Sequence, residues 1–153
     1  VTPARLPFFV YGTLRPGEAN HDLFLRGRIR SEEPGRLTGA LLYDGPGYPY
    51  AVEATGGEVM GELVTPRADA YAELLVTLDE LEEYTPGDPR NLYERVTRQV
   101  IRTADSTSVQ AWVYVAADPV AARLRTRGKL IESGDWRLGR ATAPPSPPAP
   151  RTP

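Results

Sequence analysis

The sequence contains no cysteine and a single histidine, His21. The first absence excludes disulfides, thiolate metal sites and a cysteine nucleophile. The second leaves too few imidazoles for the usual zinc or iron clusters, so a metal would need a carboxylate-rich site, and none is expected. An excess of basic charge is missing too: 18 Lys and Arg stand against 20 Asp and Glu, a net charge of -2, with the two signs interspersed. That pattern gives no electrostatic footprint for nucleic acid. No apolar run approaches the length of a membrane span, and the opening VTPARLPFFVYG carries no long apolar segment with a cleavage site. No membrane association is expected, and a cytoplasmic protein is the expectation. An enzyme of this composition, working without a cofactor, must run its proton chemistry on carboxylates, tyrosines, lysine or the lone histidine.

What is present suits one domain with a real core, since 153 residues at 41% hydrophobic content is ordinary globular usage. The clearest element is the stretch Pro66 to Glu83, PRADAYAELLVTLDELEE. Wound at the helical period, it puts Tyr71, Leu74, Leu75, Leu78 and Leu81 on one stripe and Glu73 and Glu80 opposite. Glu82 falls inside the stripe, one turn beyond Leu78, while Asp79 and Glu83 sit at its flank and read as solvated. A carboxylate pointed into apolar surroundings has its charged form disfavoured, which moves its pKa toward the range useful to a general base or acid. Glu82 is therefore the leading catalytic candidate, against the alternative that the helix frays in its last turn and Glu82 turns to water.

Leu6 to Val10, LPFFV, reads as a buried strand leading into Tyr11, Gly12, Thr13 and Leu14. Gly12 can take backbone angles closed to other residues, so successive N–H groups of this turn can converge on an anion or a carbonyl oxygen. A plain strand-ending turn explains the same residues. Asn20 to Arg26 makes at most a short helix, with Asn20 as cap, Leu23 and Phe24 inward and His21 exposed. From Gly27 to Val64 the apolar segments RLTGALLY, YPYAV and VMGELV are divided by glycine-rich turn signals, as in antiparallel strands of a curved sheet or small barrel. Thr65 and Pro66 supply a cap and first-turn proline for the helix. Tyr93 to Arg102 and Val109 to Val115 read as a hairpin. Alternation puts Tyr93 on the face opposite Val96 and Val100, so both sets point inward only if the strand is bulged or buried on both sides. Tyr114 lines a cleft or packs. A second short helix opens at Asp118-Pro119 and ends at Gly128, and Trp136 follows as an aromatic anchor. The proline-rich residues from Ala141, TAPPSPPAPRTP, read as an extended tail.

FFVYGTLRPGEAN at residues 8–20 resembles the opening of the γ-glutamylcyclotransferase-like family, a strand followed by a Tyr-Gly-Ser/Thr-Leu turn, and Asn20-His21 resembles its γ-glutamylamine cyclotransferase branch. The similarity continues through GYPYAV, MGELV, LDELE, Leu92-Tyr93-Glu94-Arg95 and AWVYV, covering most of residues 6–136. The resemblance implies an α+β fold: a small mixed, mainly antiparallel β-barrel with one main amphipathic helix and one or two short helices, over residues 1–140, with 141–153 as the tail. It implies that Glu82 is the catalytic glutamate, that Tyr11, Gly12, Thr13 and Leu14 bind the glutamyl group, and that Tyr93 is a pocket residue; Tyr114, from the strand reading, is a further candidate for substrate binding. One departure is Glu83, where many members carry glycine.

The implied reaction suits the short list of available groups. The α-amine of a γ-glutamyl amide attacks its own γ-carbonyl, closes the 5-oxoproline ring and expels an amine, with no water, enzyme nucleophile or cofactor. Ring closure is intramolecular, so holding the substrate folded supplies much of the rate, and one carboxylate of intermediate pKa can act as base and then acid. The expected partner is thus a small γ-glutamyl compound. The rivals are a non-catalytic ligand-binding module on the same barrel and a hydrolytic amidase.

Overall fold

The computed structural model describes residues 6–18, 20–45 and 48–136. Strands β1 (Phe8–Val10), β2 (Ile29–Asp44), β3 (Tyr50–Pro66), β4 (Tyr93–Arg102) and β5 (Ser108–Ala116) close a barrel in the order β3-β1-β5-β4-β2, with β2 pairing back onto β3. A short β6 (Lys129–Leu130) extends β2 at Tyr43 and Asp44. β1 runs antiparallel to β3 and parallel to β5, and this parallel pair makes the barrel mixed. The α+β barrel expected from the resemblance is therefore present.

The sheet is buried on both faces. Phe9, Leu37, Leu42, Val59, Leu63, Val100, Val113 and Trp136 fill the barrel interior. The alternate residues Phe8, Val10, Val64, Tyr93 and Tyr114 form an outer layer beneath the helices. Tyr93 and Val100 thus sit on opposite faces and both are buried, the two-sided solution to the alternation problem.

Helix α1 spans Tyr71–Leu81. Its apolar stripe behaves as the period requires: Leu74, Leu78 and Leu81 are buried, Tyr71 and Leu75 pack against them, and Glu73 and Glu80 face solvent. Each buried leucine contributes about 1.5–3 kcal/mol. The helix is shorter than sequence periodicity predicts. Thr65 and Pro66 belong to β3, where they pair with Ser31 and Ile29, so neither caps the helix, and a single turn of 3-10 helix at Ala68–Ala70 intervenes. At the other end Glu82 is the cap residue, its N–H still bonded to Leu78 O at 3.0 Å.

Hydrogen bonds pin α1 to the barrel at both ends. The Tyr71 hydroxyl donates to Leu6 O and accepts from Trp112 Nε1, each at 2.9 Å, while Asp79 accepts from Arg95 and Tyr114.

The segments YPYAV and VMGELV are one strand, β3, bent where Gly56 takes φ +83° and where the register with β2 shifts between Thr38 and Ala40. The short helix after the first loop is a single wide turn of π type, His21–Leu25. Its wider winding moves the inward position from Leu23, which is 63% exposed, to the fully buried Leu25. His21 is half-buried instead of exposed, with Nε2 2.8 Å from Glu32 Oε2. Helix α2 covers Asp118–Arg127. The expected tail from Ala141 lies outside the described residues.

Candidate functional site

β1 delivers the chain to a turn in which Arg15 N–H donates to Gly12 O at 3.0 Å. Among the described residues, no protein acceptor takes the N–H of Gly12, Thr13 or Leu14, and all three residues line a pocket at the end of β1. Gly12 is needed for a reason other than the one the sequence suggests. Its φ is not positive, but a Cβ there would meet Pro49 Cδ at 2.8 Å, so glycine allows Pro49 to close over the turn. Pro49 is itself held by the Tyr93 hydroxyl, which donates to its carbonyl at 2.7 Å, and the Tyr93 ring stacks on Tyr50 with centroids 4.7 Å apart.

The pocket holds about 400 Å³ of empty space, its open mouth to solvent included. Tyr11, Gly12, Thr13, Leu14, Glu82, Tyr93 and Tyr114 all line it, joined by Phe9, Val10, Tyr48 and Pro49. Every site residue expected from the sequence therefore reaches one cavity, although they come from β1, the following turn, the end of α1, β4 and β5. Among the described residues, Glu82 is the sole charged one lining the cavity. Its position just past the last helical residue keeps it in line with Leu78, and its Oε1 is closed off from solvent.

Tyr11 and Tyr114 meet here through a hydrogen bond. The Tyr11 hydroxyl donates to the Tyr114 carbonyl and accepts from Ala51 N–H at 3.2 Å, tying β1 to β5 and β3. The Tyr114 hydroxyl donates to Asp79 Oδ1 at 2.6 Å. Burial first, then the bond to Asp79 and the negative charges of Asp79 and Glu82, push the Tyr114 pKa far above the ordinary phenol range.

Three contributors escaped sequence reading. Asn20, expected as a helix cap, makes no capping bond with its side chain. It is fully buried, donating Nδ2 to Thr13 Oγ1 at 2.9 Å and its backbone N–H to Thr13 O at 3.0 Å, and so clamps the turn. Arg15, 6% exposed, braces the turn from behind with Nε 2.7 Å from Glu62 Oε1 and Nη1 2.8 Å from Asp135 Oδ1. Burial pulls the Arg15 pKa down, but the hydrogen bonds and charges of these two carboxylates outweigh it, so the net shift is upward. Asp79, expected at a solvated flank, is turned under the sheet. The only available signal was the heavy use of paired charges, which does not specify partners. Among the described residues no group of three or more His, Cys, Asp or Glu is placed to hold a metal ion, and no helix is long and apolar enough to cross a membrane.

The fold and site are those of a closed mixed barrel with a pocket at the end of β1, where one carboxylate faces a turn of N–H groups that no described protein group accepts. The chain belongs to the gamma-glutamyl cyclotransferase, AIG2-like family, which it matches over residues 8–138, and it is accordingly an enzyme of the cyclotransferase type. It is 36% identical over 116 residues, covering 75% of this chain and 70% of the relative, to the gamma-L-glutamyl-butirosin B gamma-glutamyl cyclotransferase of Niallia circulans. A solution structure from Arabidopsis thaliana is similar at 30% identity with a TM-score of 0.63, over 92% of this chain and 78% of that one. The crystal structure of an AIG2-like protein from Mus musculus is similar at 26% identity with a TM-score of 0.57, over 73% and 77% of the two chains.

Proposed function

We propose that the protein cleaves a γ-glutamyl amide by intramolecular aminolysis, releasing 5-oxoproline and an amine, with Glu82 as general base and then general acid. The observation that carries this reading is the pairing, in one pocket, of a carboxylate with a solvent-shielded oxygen and three adjacent N–H groups that no described protein group accepts. Those amides, from Gly12, Thr13 and Leu14, suit the α-carboxylate of the glutamyl group or the oxyanion that develops on its γ-carbonyl. Thr13 adds a hydroxyl whose oxygen already accepts from Asn20, leaving its hydrogen to donate.

Glu82 takes a proton from the α-ammonium, and the amine attacks the γ-carbonyl carbon. The bond from that carbon to the leaving nitrogen then breaks. Two protons in all leave the attacking nitrogen and two arrive at the departing one, so a carboxylate that accepts and returns them balances the reaction without water. The walls of Tyr48 and Tyr93 suit a carbon chain on the leaving group. No Lys or Arg lines the pocket among the described residues, so nothing there would pair with a carboxylate on the departing molecule. That charge balance favours γ-glutamylamines over γ-glutamyl dipeptides and supports placement in the γ-glutamylamine branch. The name of the Niallia circulans relative likewise carries a γ-L-glutamyl group, there on butirosin B.

Incubation of the purified protein with γ-glutamyl alkylamines and γ-glutamyl dipeptides, followed by chromatography for 5-oxoproline, tests the reading. Formation of 5-oxoproline from the alkylamines is expected. Release of glutamate in its place would indicate hydrolysis, and binding without any product would leave a ligand-binding module.

A further inference from the structure

Asp79 lies one turn before Glu82, and its side chain is only 19% exposed. Its Oδ1 accepts the Tyr114 hydroxyl at 2.6 Å and Arg95 Nε at 2.8 Å. Arg95 is in turn immobilised, with its guanidinium carbon 4.3 Å from the centroid of the Trp112 ring and 5.4 Å from that of Tyr84. The indole N–H of Trp112 is fixed to the Tyr71 hydroxyl. Asp79 therefore cannot swing away from Tyr114 without breaking contacts that also seat α1 on the barrel.

A phenol has one hydrogen to give, and this one goes to Asp79. The Tyr114 oxygen, in a residue that lines the pocket, keeps only its acceptor capacity for a ligand. We infer that Asp79 is a positioning residue that commits Tyr114 to accept a hydrogen bond from the substrate's α-ammonium, beside Glu82. Of the polar groups on a γ-glutamyl amide, the γ-carbonyl and the α-carboxylate are acceptors and would meet a lone pair with a lone pair. The α-ammonium and the γ-amide N–H are donors, and the charged ammonium makes the stronger bond to the phenol oxygen. The open N–H groups of Gly12, Thr13 and Leu14 have the opposite preference, so the two sides of the pocket sort the two ends of the amino-acid moiety and aim the attacking nitrogen toward the carboxylate that deprotonates it. The strongly raised Tyr114 pKa agrees with this: the phenol stays protonated and does not compete with Glu82 as base.

This inference rests on the proposed γ-glutamyl substrate, and its test separates the two. γ-Glutamyl-n-butylamide and its deaminated counterpart, N-butylglutaramic acid, differ only in the α-amine. Production of 5-oxoproline from the first by the wild-type enzyme tests the function. The inference is read from KM for the first and the inhibition constant for the second, or from calorimetric Kd values of both if turnover is absent. A hydrogen bond to a charged donor is worth about tenfold in affinity or more. Tyr114→Phe and Asp79→Ala are each expected to weaken the amine-bearing ligand about tenfold and the deaminated one less than about twofold. Adding Asp79→Ala to Tyr114→Phe should then cost less than about twofold more in KM, because the group it acts through is already gone. Equal weakening of both ligands by Tyr114→Phe, or a full and independent loss from Asp79→Ala in the Tyr114→Phe background, overturns the inference. Should Asp79→Ala fail to fold, the ligand ratio for Tyr114→Phe alone decides it.

Discussion

Replacing Glu82 with glutamine separates proton transfer from shape. The amide has the size of the carboxylate and fills the same space past the end of α1, including the solvent-shielded position of Oε1. It cannot carry a proton between two nitrogens. Loss of a general acid and base costs about 10²–10⁴ in rate, or about 2.7–5.5 kcal/mol on the barrier. Stability should move the other way. Glu82 caps the C-terminal end of α1, where the helix dipole disfavours an anion, and Asp79 lies on the same helix one turn back. Neutralising a group at such a position returns about 0.3–1 kcal/mol, which for a domain of this size raises Tm by about 1–4 °C. The assay is the rate of 5-oxoproline release from a γ-glutamyl alkylamine, alongside a thermal melt. A variant keeping more than about a hundredth of the wild-type rate would refute the shuttle. A drop of several degrees in Tm would show that the carboxylate serves the fold.

Thr13→Val leaves the buried Asn20 amide without its acceptor, so it is expected to weaken substrate binding and also to cost about 1–3 kcal/mol of stability. Urea unfolding checks this, and an unchanged midpoint would show the clamp to be unimportant. Arg15→Leu strands Glu62 and Asp135 in a largely buried site and should cost about 3–5 kcal/mol by the same measurement. Arg15→Leu combined with Glu62→Leu should recover part of it, and a further loss would contradict the pairing. At Glu83, where φ is +54° and the side chain is exposed, Glu83→Gly should exceed Glu83→Ala in stability by about 1 kcal/mol. Equal melting temperatures would mean that the backbone relaxes.

The left-handed backbone at Glu83 gives a physical reason for the glycine that the family resemblance implies after Glu82. The chain leaves α1 through a left-handed residue, and this sequence accommodates a glutamate there. The requirement belongs to the helix end and is invisible to periodicity, which carried the helix two residues further at this end.

Local pattern alone determined the α1 stripe, the β4–β5 hairpin and the candidacy of Glu82, because period and turn chemistry act over a few residues. The barrel as a whole and the roles of the Tyr11–Leu14 turn came from resemblance to a family. Tertiary structure decided the rest. Gly12 is dictated by Pro49, 37 positions away in the chain. Asn20 turned from capping to clamping Thr13, and Asp79 turned from solvent to Tyr114 and Arg95. A polar side chain takes whichever partner the closed barrel brings within hydrogen-bonding reach, and the identity of that partner is a property of the packing, which no window of neighbouring residues contains.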